Sequence, residues 1–113
     1  MNPAPPTCPD LPWLTVQPHA EGETVRVHIG GELDLATHEV LDAALSSEAV
    51  QQATTVHLEL SELVFCDSRG LSRLLAFVRE ARASGRDVRI DNAGFALRRM
   101  FGWFGAEDEL RAS

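Results

Sequence analysis

Two periods interleave along this chain. In TVRVHIGG (residues 24–31) Val25, Val27 and Ile29 point one way and Arg26 and His28 the other, the two-residue alternation of a half-buried strand. TVHLEL (55–60) repeats it, with Val56, Leu58 and Leu60 against His57 and Glu59, and DVRID (87–91) sets Val88 and Ile90 against Asp87, Arg89 and Asp91. A shorter strand is predicted at WLTV (13–16), with a turn around AEGE before the next. Between the strands the apolar spacing changes to that of helices. ATHEVLDAALSSEAV (36–50) carries Val40, Leu41, Ala44 and Leu45 on one stripe, with Thr37 as N-cap and Glu39 in the first turn. SRGLSRLLAFVREARASG (68–85) carries Leu71, Leu74, Leu75, Val78 and Ala81 and ends at Gly85. AGFALRRMFGWF (93–104) carries Leu97, Phe101 and Phe104 and stops at Gly105, while Trp103 falls off the stripe and is expected at the surface.

Strands that alternate with helices predict an α/β fold with crossovers. Strands buried on both faces read as continuous apolar runs, whereas here each carries charge on one face. Right-handed crossovers stepping along one sheet place all helices on one side. The expectation is a mixed sheet of about four strands, covered by helices on one face and bare on the other.

A length of 113 residues suits one domain, expected over 13–113. Residues 1–12 hold five prolines (Pro3, Pro5, Pro6, Pro9 and Pro12) and read as a flexible tail. A net charge of −7 argues against nucleic acid as a direct partner. No apolar run has the roughly 18 residues of a membrane span, so no membrane partner is expected. The start does not read as a signal peptide, and the expected location is the cytoplasm. Two cysteines, Cys8 and Cys66, have neither a disulfide framework nor zinc spacing.

Two polar loops follow strands expected to be neighbours: GGELDLAT, with Glu32 and Asp34, and FCDSRG, with Asp67 and Ser68. Both fall at carboxyl ends of strands, the edge where α/β folds place function. Ser68 can be read as an N-cap or as a residue that a partner modifies. Glu32, Asp34 and Asp67 together invite a magnesium or acid–base reading, but acids in such loops are more often turn and cap residues. His19, His28, His38 and His57 lack ligand spacing, and Gly30, Gly31 and Glu32 do not form a phosphate-binding loop. Arg69 and Arg73, one helical turn apart, face either a partner's acid or solvent. Phe101, Trp103 and Phe104 read as core and rim. No cofactor or metal is expected.

GELDLAT after a strand, then LSELVFCDSRGLSRLL, then VRIDNAGFALRRMF resembles the STAS family, specifically the bacterial anti-sigma-factor antagonists. The resemblance runs from about Val25 to Glu109, and its anchors are GELD and the D-S-x-G-L segment. It implies a binding protein and not an enzyme: a switch that sequesters an anti-sigma serine kinase and frees a sigma factor for transcription. The serine after the aspartate, here Ser68, would be phosphorylated by that kinase and restored by a protein phosphatase. The contact surface carried over is Glu32, Asp34, Asp67, Ser68, Arg69, Gly70, Leu71 and Arg73. A weak homodimer stays open. At Arg69 the chain departs from the family, which usually has a second small hydroxyl residue there. The departure keeps a second reading in view: a non-phosphorylated STAS accessory subunit of a larger assembly, in lipid transport or a stress complex. A small hydrolase or nucleotide-binding enzyme, resting only on the acidic loops with Asp34 and Asp67, is the third reading.

Overall fold

Alternation builds the sheet as expected. In this computed structural model, which describes residues 13–111, four strands lie in the order β1-β2-β3-β4. They are β1 (Leu14–Glu21), β2 (Thr24–Leu33), β3 (Thr55–Cys66) and β4 (Asp87–Asp91). β1 and β2 form an antiparallel hairpin from Leu14↔Gly31 to Glu21↔Thr24. β2 and β3 run parallel from Thr24↔Thr55 to Leu33↔Cys66, and β3 and β4 from Thr55↔Asp87 to Glu59↔Asp91. The proline-rich segment 1–12 lies outside the described residues.

One face of this sheet is dry. Val25, Val27, Ile29, Leu33, Val56, Leu58, Leu60 and Val88 are at most 1% exposed. Their alternates Arg26, His28 and Arg89 are exposed, and His57, Glu59 and Asp91 are half-buried. The bare face is held by its own pairs: His57 Nδ1 lies 3.1 Å from an Asp91 carboxylate oxygen, and Asn92 donates to both Glu59 oxygens at 3.0 and 2.9 Å. Burial pushes the Glu59 carboxyl up, but hydrogen bonds from Asn92 and Ser61 and the nearby His28 outweigh it and hold it below its ordinary value.

The helices are α1 (His38–Leu45), α2 (Glu48–Gln52), α3 (Ser68–Ala83), α4 (Phe95–Trp103) and α5 (Glu107–Arg111). α3 buries Leu71, Leu74, Leu75, Val78 and Ala81, the stripe its spacing predicts. Several expectations need correction. The 36–50 segment is two helices, because the chain leaves helical geometry at Ser47 (φ −64, ψ 156) before re-entering. Val40, expected on the buried stripe, is 46% exposed, and Phe104 is 39% exposed while Phe101 is fully buried. β1 runs five residues beyond WLTV and β3 six beyond TVHLEL. Trp13 precedes β1 and closes over Gly31: its carbonyl accepts from Glu32 N at 2.9 Å. Gly31 has φ +98, and a Cβ there would lie 2.7 Å from that carbonyl, so only glycine fits.

Candidate functional site

Parallel pairing of β2 with β3 brings the two polar loops together. Their last pair is Leu33↔Cys66, and the next link is a hydrogen bond from Asp67 N to Leu33 O at 3.1 Å. The GELD loop and the start of α3 therefore share one edge of the sheet.

In the first loop Asp34 works on its own backbone. Its Oδ1 accepts from Ala36 N at 3.0 Å and from Thr37 N at 3.1 Å, a local turn typical of aspartate. Thr37 stands at the N-cap position of α1, but its hydroxyl makes no cap bond. It turns back into the loop instead, donating to Glu32 O at 2.7 Å and accepting from Asp34 N at 3.0 Å. Glu32 and Asp34 remain half-buried.

In the second loop the cap is Asp67, not Ser68. Asp67 is extended (φ −94, ψ 180) and its Oδ1 accepts from Gly70 N at 2.7 Å, which satisfies one free amide of the first turn. Ser68 is therefore the first helical residue. It is exposed, and among the described residues its hydroxyl has no hydrogen-bond partner. A serine released from capping, at the positive end of a sixteen-residue helix, presents a free hydroxyl where negative charge is stabilised.

The other surface residues predicted around Ser68 divide. Arg69 is exposed and pairs with no acid among the described residues, neither Asp67 nor Asp34. Arg73 is engaged within the chain, its Nε donating to Asp42 of α1 at 3.2 Å and its Nη2 pairing with the same carboxylate. That partner raises the Arg73 guanidinium above its ordinary value. Leu71 is fully buried, and Gly70 is buried and has no side chain to offer, so neither meets a partner. Gly70 is instead what lets α3 approach β2, since a Cβ there would lie 2.5 Å from Leu33 O.

Cys66, the last residue of β3, is buried next to Asp67. Burial, then the charges of Asp67 and Asp34, pushes its thiol up to about 12. Among the described residues no three His, Cys, Asp or Glu side chains are grouped to hold a metal ion, and no helix is long and apolar enough to cross a membrane.

An apolar groove beside this patch was not foreseen. The end of β3 and α4 line a space of about 430 Å³, with Val64, Phe95 and Trp103 each 70–75% exposed. The only signal in the sequence was LVFC, an apolar run that breaks the strand's alternation, together with Trp103 off the helical stripe.

A mixed sheet dry on one face, with two loops and a helix start meeting at one edge, defines a two-layer α/β module. The chain belongs to the STAS domain family: the family model described as "Mlab, STAS domain" matches residues 16–112. Its fold is that of solved anti-sigma-factor antagonists. One from Mycobacterium paratuberculosis is 21% identical with a TM-score of 0.76, over 88% of this chain and 84% of that one. The antagonist SpoIIAA in its unphosphorylated form is 25% identical with a TM-score of 0.70, over 89% and 88%. The Bacillus cell fate determinant SpoIIAA in its phosphorylated form is 27% identical with a TM-score of 0.68, over 88% and 91%. No curated protein matches the chain in sequence.

Proposed function

We propose that the chain is an anti-sigma-factor antagonist switched by phosphorylation of Ser68. The observation that carries this reading is the division of labour at the start of α3, where Asp67 caps and Ser68 stands exposed with a free hydroxyl. The likeness to SpoIIAA, known in phosphorylated and unphosphorylated forms, supports it. Unmodified, the chain docks Glu32, Asp34, Asp67, Ser68 and Arg69 onto an ATP-binding anti-sigma serine kinase, which releases its sigma factor. The kinase transfers the terminal phosphoryl group of ATP to Ser68 Oγ, whose proton is lost, and ADP leaves. The phosphate adds about −1.5 to −2 charges at neutral pH, and a hydrolytic phosphatase removes it. Gly70 and Leu71 support this surface from below without touching the partner.

Intact-mass measurement tests it. Incubated with ATP and its cognate anti-sigma serine kinase, the protein should gain one phosphoryl group, and Ser68→Ala should gain none. Ser68→Asp should weaken kinase binding by about tenfold or more, a cost of roughly 1.4 kcal/mol. An unmodified wild-type mass, or a Ser68→Asp protein that binds as tightly as its parent, sinks the reading.

Arg69 favours a second one. It stands exposed and unpaired in the patch, where the family usually has a small hydroxyl residue, and its bulk would crowd a kinase active site at Ser68. On this reading the chain is an unmodified STAS subunit of a larger assembly. A transporter ATPase as the stable companion on co-purification, with Ser68 unmodified, would select it.

A further inference from the structure

Strand pairing along β3 stops halfway on one side. β4 accompanies β3 only to Glu59↔Asp91, whereas β2 stays with it to Leu33↔Cys66. Beyond Asp91 the chain turns off through Asn92, whose φ is +60, and enters α4. The lane beside Leu60–Cys66 therefore has no strand in it. The apolar groove lies here, with Leu63, Val64 and Phe65 on one wall and Phe95, Met100 and Trp103 on the other.

Two features say what fits. A strand without a neighbour presents backbone amides and carbonyls that want partners, and an extended segment meets them where a helix cannot. Laid along β3, such a segment also drops alternate side chains into the groove, where Val64 is 75% and Phe65 51% exposed. The second feature is charge. The chain carries −7, yet Arg99 lines the groove and Arg98 lines an adjoining hollow that shares Phe95, Arg99 and Trp103 with it, neither with an ion pair among the described residues. Glu107 lines that adjoining hollow without pairing with either. The Arg99 guanidinium is held over the rings of Phe95 at 5.8 Å and Trp103 at 5.4 Å, a stacked position that leaves its edge free for a carboxylate.

We propose that this groove is a docking site for an extended segment of a partner protein, alternately apolar and bearing an acidic residue, which adds to the sheet along β3 in the lane β4 leaves empty. A membrane surface fits less well, because a net acidic chain is repelled by anionic lipid and the groove is concave. The inference is independent of phosphorylation, although the groove ends at Cys66, two residues before Ser68, and one partner can span both.

The test uses the whole chain and a phage-displayed library of random short peptides. Selected sequences should alternate apolar and polar residues and contain Asp or Glu. A synthetic copy should slow amide exchange within residues 61–66 and leave the start of α3 unchanged. Phe95→Ser with Trp103→Ser should weaken it about tenfold or more, and Arg98→Glu with Arg99→Glu should select basic peptides instead. Both changes fall on exposed side chains, so the fold survives them. The proposal is overturned by failure to select any peptide, or by selected peptides that bind without protecting residues 61–66. Phosphatidylglycerol vesicle binding lost on Trp103→Ser, or a dimer broken by Val64→Lys, would also overturn it, in favour of a lipid or a second copy. Ser68→Ala and Ser68→Asp should leave peptide affinity as it was, so failure here and failure of the switch remain distinguishable.

Discussion

Asp67 and Ser68 split two tasks that one residue at a helix start often performs alone. An N-cap oxygen must face inward to reach an amide, while an acceptor of phosphate must face outward. The carboxylate takes the first task, at 2.7 Å from Gly70 N, and the hydroxyl is left for the second. Stability separates the two. Asp67→Ala should cost about 1 kcal/mol, as lost caps do, and lower Tm by roughly 4–8 °C at this size. Ser68→Ala should stay within about 0.5 kcal/mol. Thermal unfolding followed by circular dichroism reads both, and the reverse ranking would return Ser68 to capping. The sequence located this corner but not its division of labour, because D-S at a helix start offers two capping side chains one residue apart. Only the extended backbone at Asp67 decides between them. Thr37 misled for the same reason: it has a capping residue's chemistry and position, but its hydroxyl closes the GELD loop.

At the scale of elements, what the sequence showed well was whatever burial alone determines. β2, β4 and α3 were legible because each has a wet and a dry side in strict period. β3 was cut short because Leu63, Val64 and Phe65 break alternation, and the cause is visible in its pairing with β2: the register shifts between His28 and Gly30 and again between Gly31 and Glu32, and each extra residue in β3 re-aims the side chains beyond it. α5 was missed because its five residues hold no stripe. It is kept by Arg79, whose Nε donates to Glu109 at 3.1 Å, and by Arg82, which grips the same carboxylate, the Glu109 carbonyl and the Val88 carbonyl. The joint between β2 and α3 rests on Gly70. Gly70→Ala presses a methyl to 2.5 Å from a backbone oxygen that has no rotamer with which to yield. The gain in helix propensity, about 1 kcal/mol, is outweighed by overpacking of typically 1–3 kcal/mol and by displacement of the capped turn. Chemical denaturation should show a net loss, accompanied by faster amide exchange at Asp67–Leu71; a stabilised Gly70→Ala protein would mean that α3 can shift without cost.

The whole molecule has an unusual titration. The ten residues counted as Lys or Arg are all arginines, and there is no tyrosine, so between the ordinary thiol range and pH 12 the only side chains able to lose a proton are Cys8 and Cys66. Cys66 is buried and feels the charges of Asp67 and Asp34, and its thiol is pushed up from 9.0 to about 12. Unfolding returns it to its ordinary value. Between those limits the unfolded chain has released a proton that the folded chain still holds, so it binds fewer protons and stability must fall as pH rises. The contribution of Cys66 is complete below pH 9.0 and is lost progressively up to about 12, with a slope of at most about 1.4 kcal/mol per pH unit. In a Cys8→Ser background, denaturation midpoints taken from pH 8 upward should decline. Adding Cys66→Ala should flatten that decline, although it lowers stability at neutral pH by removing a buried sulfur. Thiol-reactive dye gives an independent reading, because only a thiolate attacks it: Cys66 should react at pH 8 on the order of a hundredfold more slowly in the folded protein than in denaturant. Equal rates, or an alkaline decline that persists without Cys66, would mean that the corner where Asp34, Asp67 and the start of α3 converge is open to water.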